Sequence, residues 1–154
     1  MTFDEQFLRM ALLVSEKAKD RTKTGTVIVG PENEVRTTGY NGIPRGVEDY
    51  PDRYSMEHTR SMWVEHGERN AIFNAARIGT PLAGCTAYII GHPCADCARA
   101  LVQVGVQRVV LYNIEISRNP EKHGPTRAIA RMIFDEADVI VTLVDPETPR
   151  ETLP

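Results

Sequence analysis

"CTAYIIGHPCADCARALVQVGVQRVV", residues 85–110, is the stretch on which the fold turns. It opens with an apolar run, "CTAYIIG" (85–91), that reads as a strand, and it leads into a second, "RVVLYN" (108–113). Between them the pattern predicts a helix from Cys94 to Val104, stopped by Gly105. The alternation continues with a helix over about 126–137 and a strand, "DVIVTLV", at 138–144. Strands separated by helices of this size imply parallel pairing through right-handed crossovers, with helices on both faces of the sheet. The class is α/β.

Upstream, Phe3, Phe7, Met10, Ala11 and Val14 recur at helical steps, and Thr2 with Glu5 has capping-box spacing. "TVIVG" (26–30), a turn at "PEN" and "EVRTTGYN" (34–41) read as a hairpin. From Gly42 to about Glu57 the chain holds prolines, glycines and charges with no apolar period. Loops longer than ~12–15 residues inside compact domains are usually functional, which makes this a candidate lid or effector segment. "EHGERNAIFNAARIG" (65–79) then predicts a helix with Ala71, Ile72, Ala75, Ala76 and Ile78 on its buried face. One domain over 1–144 and a polar, Pro-rich tail over 145–154 are expected.

A chain of 154 residues with 42% hydrophobic content suits one domain that buries roughly 68–70% of its unfolded surface. The net charge is -3 and the cations are scattered, which argues against a nucleic-acid polymer and for a small-molecule partner. Three cysteines, two of them in C-x-x-C spacing, point to a reducing, cytoplasmic setting rather than a disulfide framework. Asp4, Glu5, Arg9, Glu16 and Lys17 interrupt the first apolar stretch, so it reads as neither a signal peptide nor a membrane span.

Alone, Cys94 and Cys97 fit a thioredoxin-like redox pair, a structural zinc site or a catalytic one. Spaced i, i+3 in a first helical turn, both would share a face where the helix dipole favours negative charge by ~0.3–1 kcal/mol. "EHGE" (65–68) separates the three readings. His66 can supply an imidazole nitrogen, and Glu68 lies in the same turn. Three protein ligands leave a fourth position open, as in a catalytic zinc. Cys85 reads as core, His58 and His123 as loop residues, and His92 as a pocket residue rather than a fourth ligand. Together "HGE" (66–68) and "PCADC" (93–97) form H-x-E…P-C-x-x-C, the signature of zinc nucleobase deaminases, in which Glu68 would be the acid and base.

Beyond these motifs the chain resembles the deoxycytidylate (dCMP) deaminases over about residues 3–144. "GTVIVGPENEVRTTGYNGIPRG" is similar to that branch's G-x-x-I-V-x…G-Y-N-G-x-P-x-G segment, and "EHGERNAIFNAA" to its H-A-E-x-N-A-I helix. The resemblance implies a three-layer α/β/α sandwich around a five-stranded mixed sheet whose fourth and fifth strands are parallel. It implies zinc-dependent conversion of dCMP to dUMP with loss of ammonia, feeding dTMP synthesis. It also implies a homo-oligomer, a hexamer or a dimer, with activation by dCTP, inhibition by dTTP, and Mg2+ accompanying the nucleotide effector.

Asn41 matches the family's substrate-contacting Asn, and His92 and Pro93 are expected to line the substrate pocket beside Cys94. Arg45, Asp49 and Asp52 fall in the loop where relatives bind effectors. For the phosphate, Arg45, Arg118 and Lys122 are candidates, while Arg77 suits an effector or subunit contact and Asn70 orients the active-site turn. One departure is Gly67 in place of the family's Ala, which would make room in the base pocket. Competing readings are another zinc deaminase acting on 5-substituted dCMP, a nucleoside, a free base or tRNA adenosine, and a non-catalytic, zinc-stabilised nucleotide-binding protein.

Overall fold

The structure is a computed structural model that describes residues 1–55, 59–116 and 120–146. His58 and all but the first two residues of the expected tail lie outside them. Helix α1 (Phe3–Ser15) starts at Thr2, whose hydroxyl accepts the Glu5 N–H while the Glu5 carboxylate takes the Thr2 N–H, closing the capping box. Strands β1 (Gly25–Val29) and β2 (Val35–Tyr40) form the hairpin, with Asn33 at φ 63° in its turn. A 3-10 turn (Pro51–Tyr54) and a one-turn helix α2 (Arg60–Trp63) organise the long loop. Then come α3 (Gly67–Ile78), β3 (Thr86–Ile90), α4 (Ala95–Gln103), β4 (Arg108–Tyr112), α5 (Pro120–Glu136) and β5 (Ile140–Val144).

The five strands lie in the order β2-β1-β3-β4-β5. β1 is antiparallel to both neighbours, and β3, β4 and β5 run parallel. The period-two alternation of strand side chains splits the core in two. Val27, Val29, Tyr88, Ile90 and Val110 meet Phe7, Leu8 and Ala11 of α1 on one face. Ile28, Ala87, Ile89, Val109 and Leu111 meet Ala71 and Ala75 of α3, Ala98 and Leu101 of α4, and Ala130 and Phe134 of α5 on the other. This is the expected α/β/α sandwich.

Three details differ from expectation. Ala76 and Ile78 are exposed, Ile78 at 73%: Ala76 faces away from the buried stripe of α3, which runs Gly67, Glu68, Ala71, Ile72, Ala75, and Ile78 is the last residue of the helix. Phe3, counted with the buried face of α1, stands 57% exposed at its first residue. Helix α5 starts at Pro120 rather than near 126 and runs through Pro125. Proline is well accepted at a first helical position, and Pro125 forgoes only one hydrogen bond, in a largely exposed part of the helix.

Helix α3 packs onto β2 at backbone distance. A Cβ on Gly39 would sit 2.2 Å from the Gly67 carbonyl oxygen and 2.3 Å from the Ala71 nitrogen, so only glycine fits there. A Cβ on Gly67 would meet the carbonyl oxygens of Gly39 and Thr24 at 3.2 Å. Those are backbone atoms of β2 and of the residue just before β1, so the space at Gly67 lies between helix and hairpin rather than in the base pocket, contrary to the expectation from the sequence. Thr37 and Asn74 fasten the same seam, with the Thr37 hydroxyl donating to the Ala71 carbonyl at 2.8 Å and Asn74 Nδ2 to the Thr38 carbonyl at 2.7 Å. Urea unfolding is expected to find Gly39→Ala destabilised by about 3 kcal/mol, the upper end for overpacking. Gly67→Ala is expected to fall within about 1 kcal/mol of wild type, since its better helix propensity offsets a small displacement.

Candidate metal centre and its cleft

His66 is the N-cap of α3 and Cys94 the N-cap of α4, both in extended backbone just before a helix whose first turn carries the next functional residue, Glu68 or Cys97. The two helices pack side by side on one face of the sheet, which brings their N-termini together. His66 Nδ1 lies 3.5 Å from Cys94 Sγ and 3.5 Å from Cys97 Sγ. The three ligand atoms lie within 4.8 Å of one another, the arrangement that a single ion requires. Glu68 is 3% exposed, and its Oε2 has no hydrogen-bond partner.

The electrostatics follow from this crowding. The hydrogen bond from Cys97 lowers Cys94 to about 4, helped by the imidazole beside it, so Cys94 is a thiolate at neutral pH. The same two contacts act in the opposite sense on their partners. Cys94 raises His66 to about 9, and its hydrogen bond together with burial raises the Cys97 thiol. Burial raises the Glu68 carboxyl, against the pull of His66. One imidazole and two thiols at the N-termini of two helices, where negative charge is favoured, form a donor set suited to Zn2+. The orphaned Glu68 oxygen beside them is not needed to complete that set.

The cluster opens into a cleft of about 80 Å³ lined by Thr22, Thr24, Asn41, Arg60, His66, Glu68, His92, Cys94, Ile116, His123, Thr126 and Arg127. Asn41 is 2% exposed and forms its hub. Asn41 Oδ1 accepts the Gly67 N–H at 2.8 Å, while Nδ2 donates to the Thr22 carbonyl at 2.9 Å and to Asp20 Oδ2 at 3.2 Å. Asn70 Nδ2 donates to the Tyr40 carbonyl at 2.8 Å, tying the start of α3 to the end of β2 as expected. Thr126 Oγ1 accepts the Ala95 N–H at 2.9 Å and so anchors the start of α4 to α5.

Of the residues read from the sequence as substrate or effector contacts, Asn41 and His92 are the ones among the described residues that reach this cleft. Pro93 lines an adjoining apolar groove, with Leu111, Phe134 and Leu143. Arg45 and Arg77 share a separate groove of about 520 Å³ with Asn70 and Phe73. Asp49 receives Lys19 at 2.6 Å and the Tyr54 hydroxyl at 2.7 Å, and the Asp52 carbonyl accepts from Ser55; neither lines the cleft. Lys122 is exposed on α5 outside the cleft wall, and Arg118 lies outside the described residues. His123, read from the sequence as a loop residue, belongs to α5 and lines the cleft. Sequence reasoning also missed Asp20, Arg60, Thr126 and Arg127. Arg127 and Thr126 fall one helical turn past His123, a spacing visible only once α5 is known to begin at Pro120. Nothing in "KDRTKTG" or "HTRSMW" marks Asp20 or Arg60.

Residues 1–113 match the family described as the cytidine and deoxycytidylate deaminase zinc-binding region. Deoxycytidylate deaminases of Pongo abelii and Homo sapiens are each 32% identical over 145 residues, covering 90% of this chain and 78% of theirs. Among solved structures, the dCMP deaminase of cyanophage S-TIM5 superimposes with a TM-score of 0.73 in apo form and 0.72 in complex with dCMP and dUMP. The apo form is 22% identical over 94% of this chain and 100% of that one, and the complex is 22% identical over 94% and 99%, which speaks for the shared fold. The zinc-suited cluster, the sandwich and these matches agree: the chain belongs to the cytidine and deoxycytidylate deaminase family and is a hydrolytic deaminase.

Proposed function

We propose that the protein hydrolyses dCMP to dUMP and ammonia, with His66, Cys94 and Cys97 holding zinc and Glu68 moving the protons. The observation that carries this reading is the buried Glu68 carboxyl, its Oε2 unpartnered, in the same first turn as His66 and on the wall of the same cleft. The choice of dCMP draws on the deoxycytidylate deaminases at 32% identity and on the cyanophage enzyme, whose complex holds dCMP and dUMP.

When bound, zinc supplies Lewis acidity, which brings the pKa of water from about 15.7 to about 7. Glu68 would take one proton from the attacking water and deliver it to N3 as oxygen bonds to C4; it would then take the second proton from the C4 hydroxyl and give it to the exocyclic nitrogen, so that the C4–N bond breaks, ammonia leaves and the C4 carbonyl forms. Burial raises the Glu68 pKa, which lets the carboxyl keep the proton between these transfers. Asn41 shapes the floor; with Oδ1 already accepting from Gly67, its second lone pair is left for a donor on the substrate. His92 lines the wall beside Cys94. The same reading includes a homo-oligomer in the cytoplasm, with residues 1–144 as the deaminase unit and the remainder as a tail. Regulation by dCTP with Mg2+ and by dTTP belongs to it too, for which Arg45 and Arg77, sharing a groove away from the cleft, are the candidate contacts.

An ammonia-release assay across dCMP, 5-methyl-dCMP, cytidine, cytosine, adenosine and guanine, repeated with dCTP plus Mg2+ and with dTTP, tests the assignment; dCMP should be the best substrate. Glu68→Gln should cut turnover at least ~10²-fold while elemental analysis still finds one zinc per chain. A variant that loses its zinc instead would make Glu68 a ligand and overturn the scheme. Metal uptake gives a further test. At pH 7 His66, raised to about 9, and Cys97 carry protons while Cys94, at about 4, does not. Zinc binding to metal-free protein should therefore release about two protons in a weakly buffered indicator titration, and affinity should fall as pH falls.

A further inference from the structure

We infer that Arg60, held from behind by the buried Asp20, reads an anionic group on the substrate, the 5′-phosphate of a nucleotide, and so sets preference for nucleotide over nucleoside. The inference rests on the deaminase reading above and goes beyond it in naming the residue that selects the substrate class.

Three observations carry it. The first is position. Arg60 lines the metal cleft, whereas Asp20 does not; the Asp20 side chain has no exposed surface and Arg60 keeps 27%. Arg60 donates through Nε to Asp20 Oδ1 at 2.8 Å and through Nη2 to Oδ2. A guanidinium has five N–H donors, so this fork leaves about three for the cleft. Its orientation is fixed in advance, which reduces the ordering cost of binding.

The second is how the two arginines of the cleft are held. Among the described residues that line the cleft, the other arginine is Arg127, whose terminal nitrogens donate to Glu115 at 2.6 and 2.9 Å; that carboxylate is 43% exposed, whereas the Asp20 behind Arg60 has no exposed surface, so Arg60 is the more firmly oriented of the two. Arg45 and Arg77 line another groove, and Lys122 is off the cleft wall. Planar, forked donation is what phosphate recognition favours.

The third is the local field. His123 on the cleft wall is held below its ordinary pKa, first by burial and then by the positive charges of Arg127, Lys122 and Arg60. An anion entering there meets a wall already biased toward it. The threonines at 22 and 24 add hydroxyls on the same lining. Asn41 then links this anchor to the metal helix, because it bonds both Asp20 and the Gly67 N–H that lies between His66 and Glu68.

The test compares zinc-loaded wild type with Arg60→Gln and with the double variant Asp20→Asn/Arg60→Gln, which removes both charges and leaves no carboxylate buried alone. Ammonia release is measured with dCMP and with deoxycytidine. The double variant should lower kcat/KM for dCMP about 10- to 100-fold more than kcat/KM for deoxycytidine, chiefly through KM, as expected for the loss of charge-assisted hydrogen bonds to the phosphate. Equal losses on both substrates, or an unchanged KM for dCMP, would overturn the inference. Wild-type turnover of dCMP decides the substrate assignment by itself, before any variant is compared. Calorimetric binding of inorganic phosphate reads Arg60 whatever base is turned over: weaker binding by the double variant supports the inference, and equal binding overturns it.

Discussion

Everything at the metal centre depends on how closely α3 lies against the β1–β2 hairpin. The contact is backbone to backbone, with Gly39 under Gly67 and Ala71, and it fixes where the first turn of α3 points. His66 and Glu68 flank Gly67 in that turn, so their placement is a packing result before it is a chemical one. On the other side, α4 is seated by Ala98 and Leu101 on the same core, and Thr126 from α5 bonds the N–H next to Cys94. Two helix starts, each positioned by its own packing, thus meet at one point.

That meeting concentrates charge in a way no single element would sustain. Cys94 as a thiolate, His66 holding a proton and Glu68 buried beside them are each displaced from ordinary behaviour by the others. Helix N-termini favour the anionic members. A zinc ion would replace two protons with one doubly charged cation, so metal affinity and proton release are coupled at this site.

The architecture was legible because its signals are local. "CTAYIIG", the helix after it and "RVVLYN" carry periodicities that survive in the structure within a residue or two. The metal donors were legible because spacing within each motif fixes which side chains share a turn, and only two motifs had to be joined. What failed depends on distant packing. Gly67 looked like a pocket residue, yet the space its missing side chain leaves lies toward the hairpin. His123 looked like a loop residue because Gly124 and Pro125 mimic a helix boundary. Asp20 and Arg60 sit 40 positions apart in segments without periodicity, and no short-range pattern announces a pair of that kind.

The hub at Asn41 also bears on how the protein ages. Asn41 precedes Gly42, and an Asn–Gly step is the sequence most prone to spontaneous loss of the side-chain amide, through attack by the following backbone nitrogen on the asparagine carbonyl carbon. Here the Gly42 nitrogen donates to the Glu65 carbonyl at 3.0 Å, and both ends of the amide are pinned, so neither reacting partner is free to approach the other. A chain that deamidated at this step would set a carboxylate against Asp20 and the Thr22 carbonyl, two acceptors with no proton to share. The folded state therefore restrains the two groups whose approach this reaction needs, a protection that an opened chain lacks.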